Sequence, residues 1–532
     1  VHIVVDRRPE GIVLIDDAGE ETRVGADALP AVIAEREAEH PRWVWTDTAQ
    51  WYPSLLAAGV RIERCHDLRL VDAILAGIDG RAPRRGWEGA PPADDGALFA
   101  LEGADAVPPR SAAREWAGQQ QRLAAHPEPA RLALLAAAES AGALAAVEMH
   151  ATGLPWSAAE HDALLTAALG PRPSPGARPA ALAALAAEVE RRLDIGPVSI
   201  DSPPALVAAL RRAGLAVTSA RSGELRRVDH PVIEPLLQYK TLSRLHTANG
   251  WAWLDEWVRD GRFRPTFVPG GVVTGRWASD GGGALQLPRQ VRPAIVADPG
   301  WRLVVADAAQ LEPRILAALS GDAAMARVGA DVDLYAGIVA SGAVATREQA
   351  KVGMLGAMYG GTTGASAQVL PRLARAFPRA IAHVEAAARA GERGERVRTL
   401  LGRTSPAPTR RLADAGESES GALDTAGPAA RAWGRFTRNF VVQGTAAEWA
   451  LAWLASVRRE LWTPGTPLDA QPHLVFFVHD ELIVHCPESE VARAETVLRA
   501  AAAEAGRLLF GQAPVSFPVS VAVVQRYSDA KG

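Results

Sequence analysis

The feature that most constrains this chain is a pair of apolar strands closed around three polar residues. VFFVHDELIVHCP, Val475 to Pro487, reads as a hairpin with His479-Asp480-Glu481 between its strands and two carboxylates at its tip. Adjacent acids repel each other, and a divalent cation relieves that cost. A second apolar strand also ends in an acid. In WRLVVADAAQLEPRILAALSGD, Trp301 to Asp322, the strand runs into Asp307 and a helix is expected from near Pro313, a residue tolerated in a first helical turn. Each acid has an ordinary reading by itself: acids in a turn are usually solvated, and an Asp at a strand end is often a helix cap.

TREQAKVGMLGAMYGG, Thr346 to Gly361, adds cations. Thr346 and Gln349 have capping-box spacing, and Gly360-Gly361 is a plausible helix stop. Between them Arg347, Lys351, Leu355 and Tyr359 recur every four residues, on one slowly drifting helix face. Cations near a helix N-terminus oppose its macrodipole, and a bound polyphosphate would offset that. The bland alternative is a solvated basic face. Against it, basic residues here are almost all arginine, Lys240, Lys351 and Lys531 being the only lysines, so a lysine inside this motif stands out.

These segments, in this order, resemble the three polymerase motifs of family A, the bacterial DNA polymerase I-like enzymes. Asp307–Arg314 (DAAQLEPR) looks like DYSQIELR, Arg347–Gly360 like the basic fingers helix ending in Tyr-Gly, and His479-Asp480-Glu481 like the His-Asp-Glu turn. TGRWAS (Thr274–Ser279), LLGR (Leu400–Arg403) and RFTRNFVVQGTAAE (Arg435–Glu448) agree, and the similarity runs from about Ser140 to the C-terminus.

The resemblance implies a primer-extending enzyme acting on primer–template DNA and dNTPs. Asp307 and Asp480, with the Ala308 carbonyl, would hold two Mg²⁺ ions, Mn²⁺ being the alternative, and Glu481 would be accessory. Lys351 and Arg347 would bind the triphosphate, with Gln310, Leu355 and Tyr359 around the incoming nucleotide and Glu312 crowding its 2′ position. Arg276, Arg435, Asn439, Gln443 and His479 match positions that contact DNA without selecting sequence. Three departures point to a weaker or less discriminating enzyme: Ala308-Ala309 for Tyr-Ser, Leu355 for an aromatic ring, and Asp333 for a phosphate-contacting His.

The implied fold is α+β and multidomain, a right hand behind a reduced, RNase H-like α/β exonuclease-type domain. The expected segments are 1–115 (exonuclease-like), 116–265 (thumb), 266–322 (first part of the palm), 323–434 (fingers) and 435–532 (rest of the palm). Strands are expected at Gly11–Ile15 and Trp43–Trp45, and helices at Pro129–Glu148 and Ala180–Leu193. Arg81–Pro92 reads as a linker, and Arg403–Gly427 as an exposed or mobile loop. The exonuclease region lacks an Asp-x-Glu on its first strand and the usual Asn-x-x-x-Asp around Asp47, so it is expected to be silent. No 5′-nuclease domain is expected ahead of it.

Bulk properties set looser bounds. A net charge of −4 would not by itself propose a nucleic-acid partner, although a local basic cleft can sit in an acidic protein. The two cysteines, Cys65 and Cys486, fit a reducing cytoplasm and nucleoid, and no apolar run suggests a membrane span or signal peptide. A monomer is expected. Three rivals remain: a single-subunit RNA polymerase, against which Glu312 and the TGR and QGTAAE stretches argue; a catalytically dead DNA-binding scaffold; and a nuclease working through the N-terminal region.

Overall fold

The computed structural model describes residues 1–84, 87, 111–330, 333–361, 364–408, 427–478 and 480–530. They form two compact units. One comprises 1–152, 266–280 and 300–523; the other comprises 153–265, 281–299 and 524–532.

The first unit begins with a five-stranded sheet: β1 (His2–Arg8), β2 (Gly11–Asp16), β3 (Glu21–Val24), β4 (Arg42–Trp45) and β5 (Arg64–Asp67). Its order is β3-β2-β1-β4-β5; β1, β2 and β3 pair antiparallel, while β1–β4 and β4–β5 are parallel. Alternation along the strands decides which side chains go to which face. Ile3, Val5, Trp43 and Trp45 join one core with Tyr52, Leu55 and Leu144, while Val4 and Val44 turn to the other face, against Leu68 and Trp87. This is the expected α/β domain. Its linker, Arg81–Pro92, lies mostly outside the described residues.

Leu144 belongs to the helix Pro129–Thr152, which matches the expected Ala/Leu-rich helix and extends it by four residues. Contrary to the expectation of no spanning run, this helix is long and apolar enough to cross a membrane by composition, with mean hydropathy 1.5 in its best window. That window is 72% buried inside the protein, as befits a core helix.

The second unit is mainly helical, with helices at Ala158–Leu169, Ala180–Leu193, Pro203–Arg212, Ile233–Asn249 and Trp251–Trp257. It includes a small sheet of β6 (Leu154–Pro155), β7 (Val258–Arg259) and β8 (Arg262–Phe263). Its aromatic centre packs Trp156, His161, Trp253 and Phe263. Burial pushes the His161 imidazole down to about 4, so it packs neutral.

Back in the first unit, β9 (Thr266–Val268) and β10 (Ala278–Asp280) form an antiparallel pair flanking the TGR loop. The central sheet follows: β11 (Trp301–Ala308), β12 (His473–Val478), β13 (Glu481–Pro487) and β14 (Val519–Val524), in the order β12-β13-β11-β14. Phe267 and Trp277 seat the first pair on it through edge contacts with Phe476 and Phe477. Helices Leu311–Ser320, Leu334–Ala340, Arg347–Tyr359, Gly364–Ala376, Pro378–Glu392 and the long Pro428–Leu461 come between β11 and β12 in sequence. The architecture is the mixed palm, fingers and thumb arrangement expected behind an α/β domain.

Candidate active site

Two strand ends create the site. β13 pairs antiparallel with both β12 and β11, so the turn after Val478 is brought beside the end of β11. Asp307 lies directly across from Glu481, and the Ala308 amide donates to the Asp480 carbonyl at 2.9 Å. Glu481 is therefore not at a tip. It is the first paired residue of β13, buried between the two neighbouring strands. Burial first, then the like charge of Asp307, pushes the Asp480 carboxyl up to about 6, with Arg276 opposing the rise. His479 lies outside the described residues.

The backbone after Asp307 is unusual. Gln310 is left-handed (φ 54°, ψ 47°), and a helix starts at the next residue, two before Pro313. A non-glycine residue held there needs over-determined surroundings. Arg314, fully buried, supplies them: its guanidinium donates to the carbonyls of Ala309 (2.9 Å), Gly329 (2.7 Å) and Ser516 (3.1 Å). Gln310 itself donates to Asp333 at 2.8 Å and accepts from the Leu334 amide at 2.7 Å.

Beyond this loop runs a polar chain. Arg276 donates to Glu312 at 2.7 Å, and the Tyr359 hydroxyl donates to the same carboxylate at 2.8 and 2.9 Å. Gln443 hydrogen-bonds Tyr359 and accepts from Thr274 at 3.0 Å. Burial and the Glu312 charge push the Tyr359 phenol up to about 12, which keeps it a donor. One network thus joins residues of the TGR loop, the helix after Asp307, the Arg347–Tyr359 helix and the Pro428–Leu461 helix.

The Arg347–Tyr359 helix forms as its ends dictate. Thr346 accepts from the Gln349 amide at 3.2 Å, the Gln349 side chain reaches back to the Ala345 amide at 3.0 Å, and Gly360 ends the helix at φ 75°. Lys351 is exposed, Leu355 half-buried, and Arg347 is engaged by Asp333. A Cβ on Gly360 would sit 2.7 Å from the Arg435 side chain, so that glycine also admits the arginine. Asn439, one turn further along the long helix, has its buried amide oxygen without a hydrogen-bond partner among the described residues.

The other motifs pack on one another. Arg403 lies against Gly275, where a Cβ would come within 2.5 Å of its Nε, and donates to the buried Glu139 at 2.6 Å. Gly444 lets Thr399 approach, since a Cβ there would meet the threonine methyl at 2.5 Å. Glu448 receives the Leu401 amide at 3.0 Å and the Thr399 hydroxyl. Burial pushes its carboxyl up to about 7. The expected loop at Arg403–Gly427 therefore begins differently: Arg403, Thr404 and Ser405 are tied into this junction, while 409–426 lie outside the described residues. The sequence does not single out Arg314 or Thr274 as site residues, and it does not show that Gln310 and Arg347 pair with Asp333. Arg314 and Thr274 were visible as members of DAAQLEPR and TGR, but nothing local says what they bind.

The description "DNA polymerase family A" fits residues 209–529 of the chain. DNA polymerase I of Chloroflexus aurantiacus is 29% identical over 332 residues, covering 57% of this chain and 33% of that protein. The thermostable DNA polymerase I of Thermus filiformis is 30% identical over 324 residues (55% and 36%), and that of Thermus aquaticus 29% over 343 residues (59% and 38%). The chain thus spans about a third of the length of these relatives. Among solved structures, the POL domain of Pol1 from M. smegmatis, in complex with DNA primer-template and dNTP, matches the whole chain and 96% of its own at TM-score 0.73 and 19% identity.

Proposed function

The chain belongs to DNA polymerase family A, and we propose on that premise that it extends a primer on a DNA template by transferring nucleotides from dNTPs. The observation that carries this reading is the meeting of Asp307 and Asp480 at adjoining strand ends, with Asp480 raised to about 6 partly by its partner's charge. Among the described residues no group of three or more His, Cys, Asp or Glu side chains is arranged to hold a metal ion. Two carboxylates and the Ala308 carbonyl nevertheless fit Mg²⁺, which is usually held by one or two carboxylates, with waters and substrate phosphates completing its shell. When bound, such ions supply Lewis acidity for the primer hydroxyl and the leaving pyrophosphate.

The protein's own groups do the rest. Lys351, one turn along from Arg347, offers a cation to the triphosphate and to the charge that develops on the leaving group. Glu312, held on two sides by Arg276 and Tyr359, cannot swing away and crowds a 2′-hydroxyl, which favours deoxynucleotides. Arg435, Asn439 and Gln443 recur every four residues along one helix, where they would meet the DNA without selecting a base sequence.

Proofreading falls outside this reading, because the buried acids Asp6, Asp47 and Asp67 of the N-terminal domain are used structurally. Asp6 accepts from Ser111 (3.1 Å) and the Ala112 amide (2.7 Å). Asp47 caps Thr48–Ala57 and pairs with Arg69, and Asp67 caps Leu68–Asp79. The test is extension of a labelled primer with dNTPs and Mg²⁺ or Mn²⁺. Extension lost in Asp307→Ala, with an uncut primer when dNTPs are omitted, supports the proposal. Tight primer–template binding without extension would leave a scaffold instead.

A further inference from the structure

Asp333 stands where the resemblance expects a phosphate-contacting histidine, and its surroundings are built around a carboxylate. Its Oδ1 accepts from Gln310 Nε2 (2.8 Å) and from the Tyr335 (3.0 Å) and Ala336 (3.2 Å) amides, capping the next helix. Its Oδ2 is left for Arg347 Nε, at 2.8 Å. The Arg347 guanidinium lies over the Tyr335 ring, 5.5 Å from its centroid. Hydrogen bonds from Arg347 and Gln310 hold the Asp333 carboxyl below its ordinary value despite partial burial, so it stays ionised.

We infer that Asp333 is a positioning residue for the polyphosphate: it orients Arg347 in advance and then competes with the incoming anion for it. Arg347 and Lys351 share one helix face a turn apart, so a polyanion spanning both meets Asp333 as a fixed negative charge on one of its two cations. Three donors on Oδ1 prevent the carboxylate from turning away. The guanidinium Nε is already taken, which leaves only its terminal N–H groups for phosphate. The net result is a pre-aimed but partly neutralised arginine, and nucleotide binding that is weaker than the helix alone would give. That the polyanion is a nucleoside triphosphate rests on the polymerase reading; the competition does not.

Asp333→Asn keeps an oxygen for the two amides and for Gln310 while removing the charge, so the helix cap is retained. Inorganic tripolyphosphate, titrated calorimetrically in EDTA, should bind Asp333→Asn about two- to fivefold more tightly than the unmodified chain, as expected for one solvent-exposed charge pair. The gain should shrink by at least half in an Arg347→Ala background. In single-nucleotide extension, KM should fall by a similar factor, with kcat moving less than KM. Unchanged or weaker tripolyphosphate binding by Asp333→Asn, or an equal gain without Arg347, would overturn the inference without bearing on the polymerase reading. If no variant incorporates nucleotide but tripolyphosphate still tightens, the polymerase reading fails and the competition at Arg347 stands.

Discussion

Replacing Arg458 with alanine should loosen the first unit more than removing any exposed arginine. Its guanidinium, 3% exposed, donates to Glu148 from Nε (3.0 Å) and Nη2 (2.6 Å), and to the carbonyls of Glu63 (2.7 Å) and Ile62 (2.5 Å). Arg61 grips the same carboxylate with two bonds of 3.0 Å, and Tyr52 donates its hydroxyl at 2.6 Å. One buried joint thus binds the N-terminal sheet domain to the Pro129–Thr152 and Pro428–Leu461 helices. Burial alone would raise the Glu148 carboxyl, but Arg458 and then Arg61 overcome this and hold it at about 2. A carboxyl brought from its ordinary 4.5 to about 2 contributes about 3 kcal/mol of stability.

Arg458→Ala leaves Arg61 on the carboxylate but strips donors from two carbonyls, so the loss should be about 4 kcal/mol, within the range of roughly 3–5 for breaking a buried pair. At about 2.1 cal/mol/K of unfolding entropy per residue, a unit of this size shifts by little more than about 1 °C per kcal/mol, so the first thermal transition should fall by roughly 5 °C at neutral pH. Because the folded carboxyl lies below its unfolded value, its contribution is complete above about 4.5 and is lost as pH falls toward 2. The gap between the two proteins should therefore narrow on acidification. Thermal melts followed by circular dichroism at neutral pH and near pH 3 measure both. A shift under about 3 °C at neutral pH, or a gap that widens in acid, would refute the claim that this joint lets the N-terminal domain support the rest.

Glu448 tests the opposite sign. Its folded carboxyl, near 7, lies above its ordinary 4.5, so stability from this group falls as pH rises through that interval. Glu448→Gln, which can accept from Leu401 and donate to Thr399, should melt higher than the parent at pH 8 and alike near pH 4. Glu312→Ala removes the carboxylate shared by Arg276 and Tyr359; ribonucleotide incorporation should rise relative to deoxynucleotide by tenfold or more in paired kinetic assays, a factor of ten being about 1.4 kcal/mol. Gly444→Ala must push Thr399 aside and should cost about 1–3 kcal/mol in chemical denaturation.

The parts of this fold that local pattern determines were legible. Thr346 and Gly360 mark the ends of a helix because capping and left-handed stops are local chemistry, and Ala180–Leu193 was bounded to the residue. The strands running through Asp307 and up to Val478 were visible because a fully buried strand reads as a short continuous apolar run. What stayed hidden are pairings between residues far apart in sequence. Glu481 read as a hairpin tip because the sequence does not show that β11 adds to the open side of its strand. Asp333 read as a lost contact, since nothing local announces that Arg347, fourteen residues on, would take its second oxygen. Arg458 and Glu148 are separated by 310 residues, and each alone looks like a solvated helix charge.

The most direct test of the central claim is template dependence. Four primer–templates differing only in the first templating base should each be offered each dNTP singly, with the protein and with Asp480→Asn. The account predicts addition of the complementary nucleotide on all four, and a loss of at least a hundredfold in the variant. Addition that ignores the templating base, or that survives intact in Asp480→Asn, would contradict it.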